Sequence, residues 1–293
     1  MLLKFFKRYT FKGVLFKFKE YTLRFLSILG VYSFSISKKE WEKLPFDDIG
    51  YIDASDVLNY SKSNLIAFIQ KFEDTRYNEN NWRNYKNLWR ESLGLDKTKN
   101  KIIFDYGCGF GIESLQFAKN ENKLILGDIN LKSIDVASKI LETYNFYPIE
   151  KVQIRNQYPF YELNHKIDIL YSNGVLHHTP NIKEILIYSL KFLKNNGEIR
   201  LLLYSDKMWT AITNAPVPKK NFNIRRHNKY WSFVRGADLV GQYANFYSEE
   251  KLKYTIGNDF RIDNYQYICG PREFKENGNN LENCYCTVII KPS

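Results

Sequence analysis

The chain of 293 residues is short of the features that would mark several protein classes. It holds only four cysteines, Cys108, Cys269, Cys284 and Cys286, and no C-x-x-C pair. Its four histidines do not cluster with them, so the spacing of a structural zinc site is missing and no metal is expected. Few cysteines and no secretion signal point to reduced thiols in a cytosol. No apolar run reaches the ~18 residues that span a bilayer. The N-terminus lacks the clean apolar core of a signal peptide, because charges recur through Arg24. No internal repeat or low-complexity tract breaks the chain. What it does have is aromatic side chains, 22 Tyr and 21 Phe, ample for a core.

Acid is scarce in two places. Residues 1–39 carry nine Lys and Arg against Glu20 alone, and residues 215–235 carry six with no acid. The net charge is +11, so the remainder of the chain is slightly acidic. Two concentrated basic segments imply an anionic partner more directly than a high pI does. Met1 to Leu29 admits three readings: a basic amphipathic helix on anionic lipid, a core-packed helix with outward lysines, or a strand with period-two aromatics. Residues 37–52 read as a connector, with Pro45 and Gly50. Residues 63–72 and the stripe Trp82, Tyr85, Leu88, Trp89 and Leu93 read as helices, the second stopped by Gly94.

Residues 102–111 read Ile-Ile-Phe-Asp-Tyr-Gly-Cys-Gly-Phe-Gly, and an amphipathic stretch follows. Strand, glycine turn and helix in that order open an α/β sheet whose ligand site lies at the strand's carboxyl end. Position 112 is isoleucine, so the G-x-G-x-x-G of a dinucleotide site is incomplete. A pyrophosphate also disfavours the neighbouring Asp105, whereas a sulfonium and an ammonium welcome it. A second strand ends in Asp128, placed to accept hydrogen bonds from a ribose diol. A third runs into Ser-Asn-Gly-Val-Leu-His-His178, and a fourth follows Gly197. Strands near 102–106, 123–128, 151–155, 166–172 and 198–204 alternate with helices near 112–119, 131–144 and 181–194. A break of about 40 residues follows Tyr204, then a helix capped by Ser248 and strands at 261–268 and 284–290.

These motifs, Asp105 to Gly111, Asp128, Tyr158-Pro-Phe160, Val175-Leu-His-His178 and Leu193-Lys-Asn-Asn-Gly197, resemble the class I S-adenosylmethionine-dependent methyltransferases, in particular the type 11 group. The resemblance covers about residues 100–205. It implies a Rossmann-like, doubly wound, mostly parallel seven-stranded sheet. Residues 1–98 would be a mostly helical N-terminal extension, a lid or membrane contact. Residues 99–293 would be the methyltransferase domain, with an insertion at 206–247. It implies S-adenosylmethionine as cofactor, held by Asp105, Tyr106, Gly107, Gly109, Gly111, Asp128, Ile129 and Asn173. The family's Asp-Ala before the Pro-Phe pair is here Ile154-Arg155, which leaves Asn156 or backbone for the adenine.

Methyl transfer needs alignment, and a base only where the acceptor must lose a proton. His178 and His177 are the candidates for that base, with His178 favoured. Tyr204, Arg225, Arg226 and Trp231 are the candidate acceptor contacts, at or in an insertion whose basic residues and the flat apolar surface expected of Trp209, Tyr230 and Trp231 suit a phosphate on a ring. The expected reaction is O-methylation of a small, glycan- or lipid-linked anionic acceptor, in the cytoplasm or at the inner membrane surface. The alternatives are an RNA methyltransferase, for which no appended RNA-binding module is present, and a non-catalytic binding protein.

Overall fold

The computed structural model describes residues 50–155, 157–220, 224–230, 233, 244–271 and 282–293, with 18, 21, 22, 25, 26, 29 and 43–46. A two-stranded antiparallel hairpin, β1 (Lys43–Phe46) and β2 (Gly50–Asp53), stands where the sequence suggests a plain connector. Helices α1 (Ala54–Leu58) and α2 (Lys62–Arg76) follow. Ser61 caps α2 by accepting from the Asn64 N–H at 3.2 Å. The helix expected through Trp82 to Leu93 is broken. It becomes one 3-10 turn, Tyr85–Asn87, and a short α3 (Leu88–Ser92), because Lys86 and Asn87 are left-handed at φ 55° and 60°. Asn84 supplies the reason: its amide donates to the Tyr77 carbonyl at 2.8 Å and to the Asn87 side chain at 3.0 Å, which competes with the helical ladder.

The main sheet is built from β3 (Ile102–Tyr106), β4 (Lys123–Asp128), β5 (Glu150–Gln153), β6 (Ile167–Asn173), β7 (Leu193–Tyr204), β8 (Phe260–Ile268) and β9 (Tyr285–Pro292). Its spatial order is β5-β4-β3-β6-β7-β9-β8. β3 to β7 pair in parallel, and only the pairs made by β9 are antiparallel. Helices α4 (Ile112–Lys119), α5 (Leu131–Thr143) and α6 (Ile182–Ser189) make the crossovers. α7 (Asp206–Thr213) opens the insertion, and α8 (Glu249–Ile256) precedes β8. Ser248 caps α8 as its sequence implies, accepting from the Lys251 N–H at 3.1 Å.

Two boundaries move. α6 ends at Ser189 rather than near 194, its hydroxyl bonded back to the Leu186 carbonyl at 2.6 Å. β7 begins at Leu193 instead of 198, with an irregularity opposite Ile167 and Ile169. Gly197 lets the chain close on Leu193 there, since an added Cβ would sit 2.5 Å from the Leu193 Cγ.

Strand alternation sends Ile103, Leu126, Ile169, Tyr171, Leu202 and Tyr204 to one face and Phe104, Tyr106, Ile125, Leu170, Leu201 and Leu203 to the other. The first face is covered by α4, α5 and the N-terminal helices, whose Leu65, Ile69, Trp89 and Leu93 join the same core. The second is covered by α6 and α8 through Ile185, Leu186, Leu252 and Ile256. Strand order reverses between β3 and β6, so the crevice for a ligand opens at their carboxyl ends. Among the described residues, no helix is long and apolar enough to cross a membrane.

Candidate active site

The loop after β3 is shaped by three left-handed glycines, Gly107, Gly109 and Gly111, at φ 81°, 51° and 71°. Two are also points of close approach. A Cβ on Gly107 would stand 2.4 Å from Val175 Cγ2, and one on Gly111 would stand 2.7 Å from the Ala137 Cβ. The loop is held from the end of β4: Asp128 accepts from the Gly109 N–H at 3.0 Å and from the Asn130 N–H at 2.9 Å. Asp128 therefore fixes the loop and α5 as well as offering its remaining lone pairs to a ligand. Burial raises its pKa to about 6, against the opposing effect of those N–H donors.

Asp105, at the end of β3, is buried with one hydrogen bond, accepted from Ser114 Oγ at 2.6 Å. Burial pushes its pKa up to about 8, and the charges that bear on it, Glu113 and Asp128, are both negative. Nearby, Glu113 Oε1, the Tyr77 hydroxyl and the Tyr171 hydroxyl are buried without a hydrogen-bond partner among the described residues. Burial first, and then Glu113, raises the pKa of both tyrosines, which puts α4, the end of α2 and β6 around one polar spot. Three buried or half-buried carboxyl groups, one of them with an oxygen that has no hydrogen-bond partner among the described residues, suit a ligand that brings positive charge. S-adenosylmethionine brings two, a sulfonium and an ammonium, so the residues fit it. Among the described residues no group of three or more His, Cys, Asp or Glu is placed to hold a metal.

The other expected cofactor residues divide. Asn173 and Ile129 are half-buried at the ends of β6 and β4, on the crevice side. Gly174, at φ 76°, has open space where a Cβ would point. The Tyr106 ring turns instead into the opposite core, 5.8 Å from Tyr161, and only its backbone faces the β6 end, accepting from Ser172 Oγ at 2.9 Å. Asn156 lies outside the described residues.

The histidine pair sits in a 3-10 turn, Leu176–His178, just beyond β6. Both are buried, at 1% exposure for His177 and 5% for His178. Their rings lie 4.2 Å apart, and the His177 ring is 3.8 Å from Tyr204 at the end of β7. Burial and the neighbouring His178 hold His177 well below the usual histidine pKa, so it is neutral. Neither of its ring nitrogens makes a hydrogen bond among the described residues; the Leu202 backbone is close enough to act electrostatically without reaching that geometry. Its carbonyl is fixed by the Asn245 N–H at 2.9 Å, and the Asn245 side chain accepts from Lys251 Nζ at 2.7 Å.

Tyr204 centres an aromatic wall, with ring centroids at 5.5 Å from Phe246 and 5.4 Å from Tyr285. Trp82 stacks on Tyr285 at 6.0 Å, and the Arg83 guanidinium lies over both rings at about 5 Å. Arg83 is close enough to His177 to depress its pKa further. Sequence reasoning missed Arg83 and Glu113. Glu113 had a local cue, an acid in the first turn of a helix after a glycine loop; Arg83 had none.

In the insertion, two aromatic rings are packed rather than open. Trp209 and Tyr230, read as open flat surface, are buried, and Trp209 donates its ring N–H to the Pro216 carbonyl at 3.1 Å and stacks on Phe233. Arg226 is exposed on the turn Ile224–Arg226. The Arg225 side chain and Trp231 lie outside the described residues. His165 is at the surface, paired with Glu150 at 2.9 Å.

Residues 104–199, a third of the chain, match the family described as a methyltransferase domain. No curated protein matches the chain. Among solved structures it is similar to an S-adenosylmethionine-dependent methyltransferase from Clostridium acetobutylicum, at 10% identity and TM-score 0.49 over 78% of this chain and 98% of that one. It is also similar to TehB from Haemophilus influenzae, at 16% identity and TM-score 0.47 over 69% of this chain and 62% of that one. A third is the magnesium protoporphyrin IX methyltransferase from Synechocystis, at 12% identity and TM-score 0.43 over 79% of each chain. With this match lying across the glycine loop, Asp105, Asp128 and the histidine turn, residues 104–199 are identified as a methyltransferase domain set in a Rossmann-like sheet, with S-adenosylmethionine as its cofactor.

Proposed function

We propose that the chain methylates an oxygen of a small or glycan- or lipid-linked anionic acceptor. The observation that carries this reading is a buried histidine pair, with His177 held neutral, on an aromatic wall at the carboxyl end of β6 and β7, and the Arg83 guanidinium over that wall. S-adenosylmethionine supplies an electrophilic methyl group on a sulfonium. The chain's own residues then have three tasks. The wall of Tyr204, Phe246 and Tyr285 excludes water and aligns the acceptor. His178, the more exposed of the pair, takes the hydroxyl proton as the new oxygen–carbon bond forms. Arg83, with the exposed Arg226, attracts the acceptor's anionic group.

The test is transfer of labelled methyl from the donor to cell extract fractionated into lipid, glycan and RNA. Label in an anionic lipid or glycan fraction is the expected outcome, and label in RNA alone replaces this reading with nucleic-acid methylation. On the acceptor found, His178→Ala should lower turnover ~10²–10⁴-fold with donor affinity unchanged. Arg83→Gln should raise the acceptor KM about tenfold. Wild-type turnover in the histidine variant would leave alignment as the whole of catalysis.

A further inference from the structure

Four of the eleven exposed large apolar side chains among the described residues fall within one twelve-residue stretch. They are Phe18, Tyr21, Phe25 and Leu29, with exposures of 72%, 54%, 61% and 57%. Phe18, Tyr21, Thr22, Phe25 and Leu26 are helical, and the Leu29 N–H continues the ladder to the Phe25 carbonyl at 3.1 Å. At about 100° per residue, the four large side chains fall within an arc of about 80°. One face therefore presents two phenylalanines, a tyrosine and a leucine to solvent, while the core of the sheet is closed by other residues.

An exposed apolar arc of this kind marks a surface that is covered in use. The sequence says what covers it. Residues 1–39 hold nine basic residues and one acid, and Lys17, Lys19 and Arg24 alternate with the four apolar residues in the sequence. An apolar face in so basic a segment matches a bilayer that offers acyl chains beneath anionic headgroups. We infer that this segment lies in the plane of an anionic membrane surface, with Phe18, Tyr21, Phe25 and Leu29 inserted among the lipids. The inference is independent of which acceptor is methylated.

The full chain should co-sediment with phosphatidylcholine vesicles containing phosphatidylglycerol, more weakly with phosphatidylcholine alone, and less as salt rises. Phe18→Ser with Phe25→Ser should reduce binding about tenfold or more by removing the inserted area. Lys17→Gln, Lys19→Gln and Arg24→Gln together should reduce it about tenfold and flatten its salt dependence. Donor binding, measured in each variant, should be unchanged and reports a folded methyltransferase domain. Vesicle binding at wild-type strength in both variants overturns the inference, as does absence of binding to anionic vesicles by the wild-type chain. A wild-type dimer in the ultracentrifuge that the double serine variant abolishes would assign the arc to a second copy of the chain instead.

Discussion

Asp105 shows what one buried carboxyl can report. Its pKa of about 8 arises from burial first, then from the negative charge of Glu113 and Asp128. An acid raised above its unfolded value binds more protons folded than unfolded, so stability is present at low pH and lost as pH rises through the folded pKa. The ligand-free protein should accordingly lose thermal stability between about pH 4 and pH 8 through this group. A cationic ligand favours the ionised form, so affinity for S-adenosylmethionine should rise with pH and level off above about 8. Calorimetry across that range, with Asp105→Asn as the comparison, checks both signs. Donor affinity that is flat with pH in the wild type would remove Asp105 from the cation's surroundings.

The glycine loop is an element whose form is set by its own sequence and whose tightness is set by its neighbours. Gly107 combines a left-handed φ with a close approach to Val175, the residue that leads into the histidine turn. Gly107→Ala should therefore cost about 1–3 kcal/mol in strain and displacement. It should also reduce donor affinity, because the loop and the histidine turn would be pushed apart. Urea unfolding together with donor titration checks this, and pairing it with Val175→Ala should recover part of the loss by clearing the Cγ atoms. Full donor affinity in the single variant would show that the loop tolerates the shift.

At the scale of the molecule, the N-terminal helices and the sheet share one core, and a cation on β7 helps to tie them together. Arg200 on β7 donates from Nη1 to the Leu93 carbonyl at 2.8 Å and to Thr98 Oγ1 at 2.6 Å, and pairs with Glu198 at 2.6 Å. The segment it holds carries Trp82 and Arg83 to the aromatic wall. Arg200→Ala should lower stability by about 1.5–3 kcal/mol through lost charge-assisted hydrogen bonds. It should also increase the exchange rate of amides in α3 and the turn before it, which hydrogen exchange reads directly. Unchanged protection of that segment would mean that its apolar contacts alone hold it.

The sequence by itself determined the sheet's parallel strands, the glycine loop and the placement of Asp105 and Asp128 at strand ends. Those features are written in short windows: apolar runs, turn residues, and a switch of period from two to 3.6. Where local chemistry had two outcomes, reading was less secure. Asn84 and Asn87 broke a helical stripe into a 3-10 turn and one short helix, and the segment read as a connector closed into a hairpin. Only the tertiary structure decided which side chains the crevice desolvates and what charge they meet there. Arg83 reaches Tyr285 across some two hundred residues, Trp209 turns from expected surface to core, and Glu113 Oε1 has no hydrogen-bond partner among the described residues. Desolvation and electrostatic balance are sums over every neighbour in space, and no window of sequence contains those neighbours.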